Sequence, residues 1–202
     1  MLKKIQIAFL ILITALISCS NKENEKFLND VSFEEGDLVF RKGIGTKSQA
    51  VTIADYTGVY SHIGIVVKCD SAFKIIHIVP DERKKGETED FIKIESLEEF
   101  FSDKRATNGA VYRLKDFSIY GKKASIEAKR LLEKKIIFDD KYNLNDSTKM
   151  YCTEFVWYVY NLFGKDITCG KRVVLKTKPF AGIYIFPSNI FTNEDILLIN
   201  KY

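Results

Sequence analysis

The chain has 202 residues, a formal net charge of +4 at neutral pH and a composition that is 46% hydrophobic. That length suits one domain with a substantial core. The weak positive excess holds no Lys/Arg-rich block, which argues against nucleic acid as a partner, and neither an internal repeat nor a Pro-rich linker divides the chain.

The chain opens with MLKKIQIAFLILITALISCS, in which Lys3 and Lys4 precede an apolar run from about Ile5 to Ile17. This is the pattern of an export signal, and the run is shorter than the roughly 20 residues of a bilayer-crossing helix. Leu16 to Cys19 reads LISC and resembles the lipobox of bacterial lipoproteins, in which cleavage before the cysteine leaves that thiol to carry lipid. The expected organisation is a signal peptide over 1–18, a lipidated Cys19 with a polar tether over 19–31, and a body over 32–202. Removing 18 residues from 202 leaves 184, and the loss of Lys3 and Lys4 takes the charge from +4 to near +2.

Glu35-Gly36-Asp37 reads as a turn into a short strand over Leu38 to Arg41, and TKSQAVTIADY reads as a short helix capped at Ser48. SHIGIVVK and FKIIHIVP are β-branched runs separated by CDSA, so they read as an antiparallel hairpin. FIKIES is a strand leading into a short helix capped at Ser96, and GAVYRLK is a further strand. SIYGKKASIEAKRLLEKKI places Ile126, Leu131 and Leu132 among Lys and Glu, the pattern of an amphipathic surface helix. DSTKMYCTEFVWYVYNLFG is expected to be a largely buried helix, capped by Asp146, Ser147 or Thr148 and ended near Gly164. Short strands follow from Arg172. Strands and helices without regular alternation predict an α+β fold built on an antiparallel sheet.

Cys69, Cys152 and Cys169 lie in the body with no CxxC and no His at zinc spacing, so no metal and no cofactor is expected. An oxidising setting leaves one thiol over, and one arrangement pairs Cys69 with Cys169 and leaves Cys152 free. A cysteine in an apolar helix is commonly core. Near a helix start, however, the unpaired N–H groups favour a thiolate, and Cys152 falls there. His62 and His77 are the two histidines, one in each strand of the hairpin, where pairing can bring them together as a base and the group that fixes its tautomer. Strand parity decides whether they share a face, and the register is not readable from the sequence. Glu154 points to a different helix face and reads as a capping or salt-bridge partner. Asp37 fits ordinary Gly-Asp turn chemistry or a role in the site. Tyr60 and Ser61, just before His62, and Tyr151, just before Cys152, are candidates to line a substrate cleft. The backbone N–H of Cys152 is the oxyanion candidate.

GDLVF, YSHIGIVV, IIHIVP and MYCTEFVWYVY, in that order, resemble the circularly permuted NlpC-type papain-like cysteine hydrolases, particularly the YiiX/YebB-like group. The resemblance covers about Glu35 to about Asp166 and implies a permuted papain-like fold in which an antiparallel sheet packs against the helix bearing the nucleophile. It makes 32–202 a catalytic domain, with Cys152 as nucleophile, His62 as general base and His77 in the orienting position. Related proteins often have a glutamate there, and an imidazole stabilises an imidazolium less well than a carboxylate does. The function implied is an exported lipoprotein hydrolase cleaving amide bonds in peptide-like substrates such as peptidoglycan fragments, held on the bacterial cell envelope by its N-terminal lipid, on the periplasmic or surface side. The alternatives are an acyl-lipid-acting transferase, or a ligand- or lipid-binding lipoprotein on the same fold with little catalysis. A cleft rich in Tyr and charge favours the peptide, and an apolar tunnel the lipid.

Overall fold

A computed structural model describes residues 26–83 and 85–202; the expected signal peptide and Cys19 lie outside them. Among the described residues, ten strands and, after a helical turn over 26–29, five further helices follow in chain order. β1 (Leu38–Gly43) leads into α1 (Thr46–Ala54), and β2 (His62–Cys69) into β3 (Ala72–His77). β4 (Lys93–Ser96), α2 (Leu97–Phe100), β5 (Ala106–Leu114) and α3 (Phe117–Glu133) come next. The second half holds β6 (Ile137–Phe138), β7 (Lys149–Met150), α4 (Cys152–Asn161), β8 (Val173–Leu175), β9 (Gly182–Tyr184), α5 (Pro187–Phe191) and β10 (Ile196–Lys201). Six strands form one antiparallel sheet in the order β10-β5-β1-β2-β3-β4, which is the α+β arrangement expected.

Side-chain alternation along the strands divides the core in two. Leu38, Phe40, Ile63, Ile65, Ile76, Ala110 and Tyr112 point to one face, where they meet Ala124, Ala128 and Leu131 of α3 and Phe155, Val156 and Val159 of α4. Val39, Val66, Ile75 and Val111 point to the other face and meet Phe100, Phe101, Phe27, Val31 and Phe33. Phe27 and Val31 lie within the stretch expected to be a solvated tether, yet both are buried. Phe27, Leu28 and Val31 are too few to show a period, but Phe27 finds aromatic partners in Phe101, with ring centroids 5.2 Å apart, and Tyr202, at 4.7 Å.

The β2–β3 hairpin pairs Ile65 with Ile76 and Cys69 with Ala72, turning at Asp70, whose φ of 53° is left-handed, and Ser71. Cys69 and Cys169 are both free thiols. The disulfide arrangement is therefore not formed, as Cys69 closes the hairpin while Cys169 is exposed in the loop after α4.

Three local expectations change. The N-cap of α1 is Gly45 rather than Ser48. The buried stripe of α3 is Gly121, Ala124, Ser125, Ala128 and Leu131, with Ile126 exposed. α4 starts later than the DST cap signal suggests, because Lys149 and Met150 pair with Ile137 and Phe138 as parallel strands and leave Tyr151 as the N-cap. Asp146 instead holds Thr148 in a local turn. Gly164 follows α4 at φ 82° and donates to Asn161, which ends the helix as the sequence suggested.

Candidate active site

The site sits where the sheet's strands end. His62 is the first residue of β2 and Cys152 the first of α4, and both line a cleft of about 440 Å³. The Cys152 thiol is pushed up to about 11, chiefly by burial; the backbone N–H groups of Ile63, Thr153 and Cys152 itself, and the charge of Arg41, act the other way. The sulfur therefore lies at the positive end of α4 and beside the backbone that carries His62.

Register explains why the two histidines meet. The pairing of Ile65 with Ile76 sets His77 opposite Gly64, two residues from His62 and on the same face. His62 Nε2 and His77 Nδ1 stand 2.8 Å apart. Gly64 makes the room: a Cβ on it would come within 2.6 Å of Ile75 Cγ2 and 3.1 Å of His77 Cβ. Both rings are buried and rest on Phe100, with centroids 5.7 and 5.1 Å away.

Glu95 is a site residue the sequence reading missed. Its Oε2 lies 3.0 Å from His77 Nε2, a close polar contact set off the axis of a straight ring N–H hydrogen bond. β4 pairs with β3 so that His77 faces Lys93 and Ile75 faces Glu95, which puts Glu95 on the histidines' face. Burial pushes the Glu95 carboxyl up, but contacts with His77, Arg105 and Lys93 win and hold it far below the usual carboxylate range. Arg105 reaches both of its oxygens at 2.7 Å, and Lys93 Nζ lies 2.9 Å from Oε1.

Glu82, on the segment between β3 and β4, gathers the same cations: Arg41 at 2.5 Å, Lys93 at 2.9 Å and Arg105 at 3.2 Å. Arg41 is β2's partner opposite His62, with its guanidinium carbon 4.7 Å above the Phe100 ring. Burial first, then Arg41, His77 and Lys93, hold His62 well below its ordinary value. His77 is lowered to about 4, by burial against the opposing pull of Glu95 and with Arg41 adding to it. Both imidazoles are therefore neutral at physiological pH, facing a protonated thiol.

The remaining expected positions divide. Ser61 lines the cleft, and its Oγ accepts from the Gly43 N–H at 2.9 Å. Tyr60 lies away from it, packed among Phe40, Tyr112 and Phe191. Asp37 is also outside the cleft, taking Arg113 Nε at 2.6 Å and Nη2 at 2.8 Å, and the Glu34 N–H at 2.8 Å. Tyr151 is buried, its hydroxyl accepting from the Ile185 N–H at 2.9 Å. Glu154 accepts from the Tyr151 N–H at 3.3 Å, a capping role as expected, and burial raises its carboxyl to about 8.

Tyr142 was also missed. It lines the cleft with Cys152, its backbone at φ 54° and its ring against Phe138 and Tyr151. Its hydroxyl has no hydrogen-bond partner among the described residues, and burial, with Cys152 next, pushes it up to about 12. It keeps its proton and is free to donate. No group of three or more His, Cys, Asp or Glu among the described residues is arranged to hold a metal ion.

Residues 32–193 match the family described as "Permuted papain-like amidase enzyme, YaeF/YiiX, C92 family". The crystal structure of metalloprotein yiiX from Escherichia coli O157:H7 is similar in fold, with a TM-score of 0.68 at 20% identity over 84% of this chain and 97% of that one. No curated protein matches the sequence. With four-fifths of its length under the family's description and the permuted sheet-and-helix order in place, the chain belongs to the permuted papain-like amidases of the YaeF/YiiX group, a family of cysteine peptidases.

Proposed function

We propose that the protein is an exported cysteine hydrolase that cleaves an amide bond in peptide-like cell-wall material, held at the bacterial envelope through lipid on Cys19. The observation that carries the reading is the set of groups sharing one cleft: Cys152 at the start of α4, and His62 hydrogen-bonded through its far nitrogen to His77. In this mechanism His62 takes the thiol proton as Cys152 attacks the carbonyl, and later gives it to the leaving amine. The Cys152 backbone N–H and the Tyr142 hydroxyl donate to the developing oxyanion. Water then releases the acyl group by the same route. Charged side chains stand along the cleft wall, Arg41, Lys47, Lys104 and Arg105 with Asp81 and Glu82, which favours a peptide over an acyl lipid.

The test is digestion. The full chain in detergent is incubated with peptidoglycan stem peptides, and new amine termini are read by mass spectrometry. Release by the wild type and none by Cys152→Ala supports the reading. Equal release by both, or release from an acyl lipid alone, overturns it.

A further inference from the structure

We infer that the proton leaving Cys152 is relayed through both imidazoles, so that the positive charge comes to rest on His77 against Glu95 rather than on His62. The proposal deepens the hydrolase reading and rests on it. The contacts fix the tautomers. Glu95 is clasped by Arg105 and Lys93, so it is ionised and offers only acceptors. His77 Nε2, 3.0 Å away, must carry the hydrogen of a neutral His77, leaving Nδ1 as a lone pair. His62 Nε2, at 2.8 Å, then carries its own hydrogen toward that lone pair, and His62 Nδ1 is the nitrogen left for the thiol.

The surroundings decide where the charge settles. Arg41 of β1 stands opposite His62, and no carboxylate touches His62 among the described residues. His77 has Glu95 of β4 in contact, with Lys93 beside it in the ladder. The charged groups facing the pair are Arg41, Lys93, Arg105, Glu82 and Glu95; Arg41 is turned onto Glu82, and Lys93 and Arg105 are each turned onto both carboxylates. An imidazolium on His62 has no carboxylate in contact among the described residues; one on His77 has Glu95 at 3.0 Å. Both imidazoles are buried, which leaves protein charge as the main stabiliser.

The bonds balance. The Sγ–H bond of Cys152 breaks and His62 Nδ1–H forms; His62 Nε2–H breaks and His77 Nδ1–H forms. The products are a thiolate, a neutral His62 and an imidazolium His77 paired with Glu95. When the tetrahedral intermediate collapses, His77 Nδ1–H returns to His62 Nε2 and His62 Nδ1–H goes to the leaving nitrogen. Glu95 is a positioning residue, acting on the thiol through two rings.

The chain has two histidines, which makes the test clean. Full-length protein labelled with 15N-histidine, in detergent, is observed at neutral pH and then acidified, with His62→Gln assigning the signals. Both rings are expected as Nε2–H tautomers at neutral pH, with the first imidazolium on His77 at about pH 4. Glu95→Gln is expected to lower that midpoint and to slow iodoacetamide alkylation of Cys152 at pH 7 about tenfold or more, while Glu95→Asp recovers most of the rate. An Nδ1–H tautomer on either ring, a first proton on His62, or a wild-type alkylation rate in Glu95→Gln overturns the relay. If Glu95→Gln does not fold, the wild-type tautomers and first protonation decide alone. Rapid Cys152 alkylation with the charge on His62 sinks the relay but leaves the hydrolase; an inert Cys152 in the wild type sinks the hydrolase.

Discussion

Replacing His62 by Ala separates a catalytic cysteine from a buried one, and the chain carries its own comparator. Cys169 is an exposed free thiol, while Cys152 is pushed up to about 11 by burial. A thiol at that value is about 1 part in 10⁴ thiolate at pH 7, against about 3% for an ordinary thiol near 8.5, a deficit of roughly 300-fold. The more basic thiolate is the better nucleophile, and a Brønsted coefficient of about 0.4–0.5 returns roughly 10- to 20-fold. Unassisted, Cys152 would therefore react about 20-fold more slowly than an exposed thiol. With His62 removing the proton as the bond forms, the order reverses, and Cys152 alkylates faster than Cys169. Site-resolved mass spectrometry of iodoacetamide adducts at pH 7 measures both rates in one sample. In His62→Ala, Cys152 is expected to drop about 20-fold below Cys169. A wild-type Cys152 slower than Cys169, or a His62→Ala rate equal to wild type, refutes the assignment.

Tyr142→Phe removes a cleft hydroxyl and leaves the ring contacts, so turnover of a stem peptide should fall about 100-fold while Cys152 alkylation is unchanged. Gly64→Ala forces a Cβ to within 2.6 Å of Ile75 Cγ2, and chemical denaturation should show a loss of about 1–3 kcal/mol together with slower Cys152 alkylation. Glu154 has a folded-state value raised to about 8, above the unfolded value near 4.3, so the native state binds the extra proton. Stability should therefore fall as pH rises from about 4.5 to about 8, and Glu154→Gln should flatten that slope in a urea-midpoint series. Arg113→Met strips the fully buried Asp37 carboxylate of its bidentate partner and should cost about 3–5 kcal/mol in the same assay, with no change in Cys152 alkylation because neither residue borders the cleft.

The parts of the site that a hairpin places were legible in the sequence, and those that a long connection places were not. SHIGIVVK and FKIIHIVP gave two strands and a short turn, and the observed register supplies the face that parity alone left open. Glu95 was hidden because residues 78–92 separate β3 from β4, and KIES, with Lys93 and Glu95 on one side and Ile94 on the other, looks like a strand with one solvated face. In the fold that charged row faces Arg105 and His77 instead of water. Arg41 was hidden the same way, a charged residue at a strand end that turns out to be buried. Tyr142 sits in the irregular stretch between β6 and β7, where no periodicity exists to read. The helix bearing Cys152 was recognised, but its start was misjudged: Asp146, Ser147 and Thr148 have cap chemistry, while the pairing of Lys149 and Met150 with β6 is a tertiary contact that overrides it.

The aromatic packing on the sheet's second face ties both ends of the described chain to the histidines. Phe27 and Tyr202 each meet Phe101 edge-on, Phe101 meets Phe100 edge-on at 4.9 Å, and Phe100 carries both imidazoles. Phe27 and Tyr202 thus act as one clamp over the buried imidazole pair, although neither is near the thiol in sequence. Trimming past Phe27 and deleting Tyr202 loosen the same joint, so their effects on Cys152 reactivity will not add: the second cut finds the roof already open, water reaches the imidazoles, and a shortened protein that still folds loses its chemistry first.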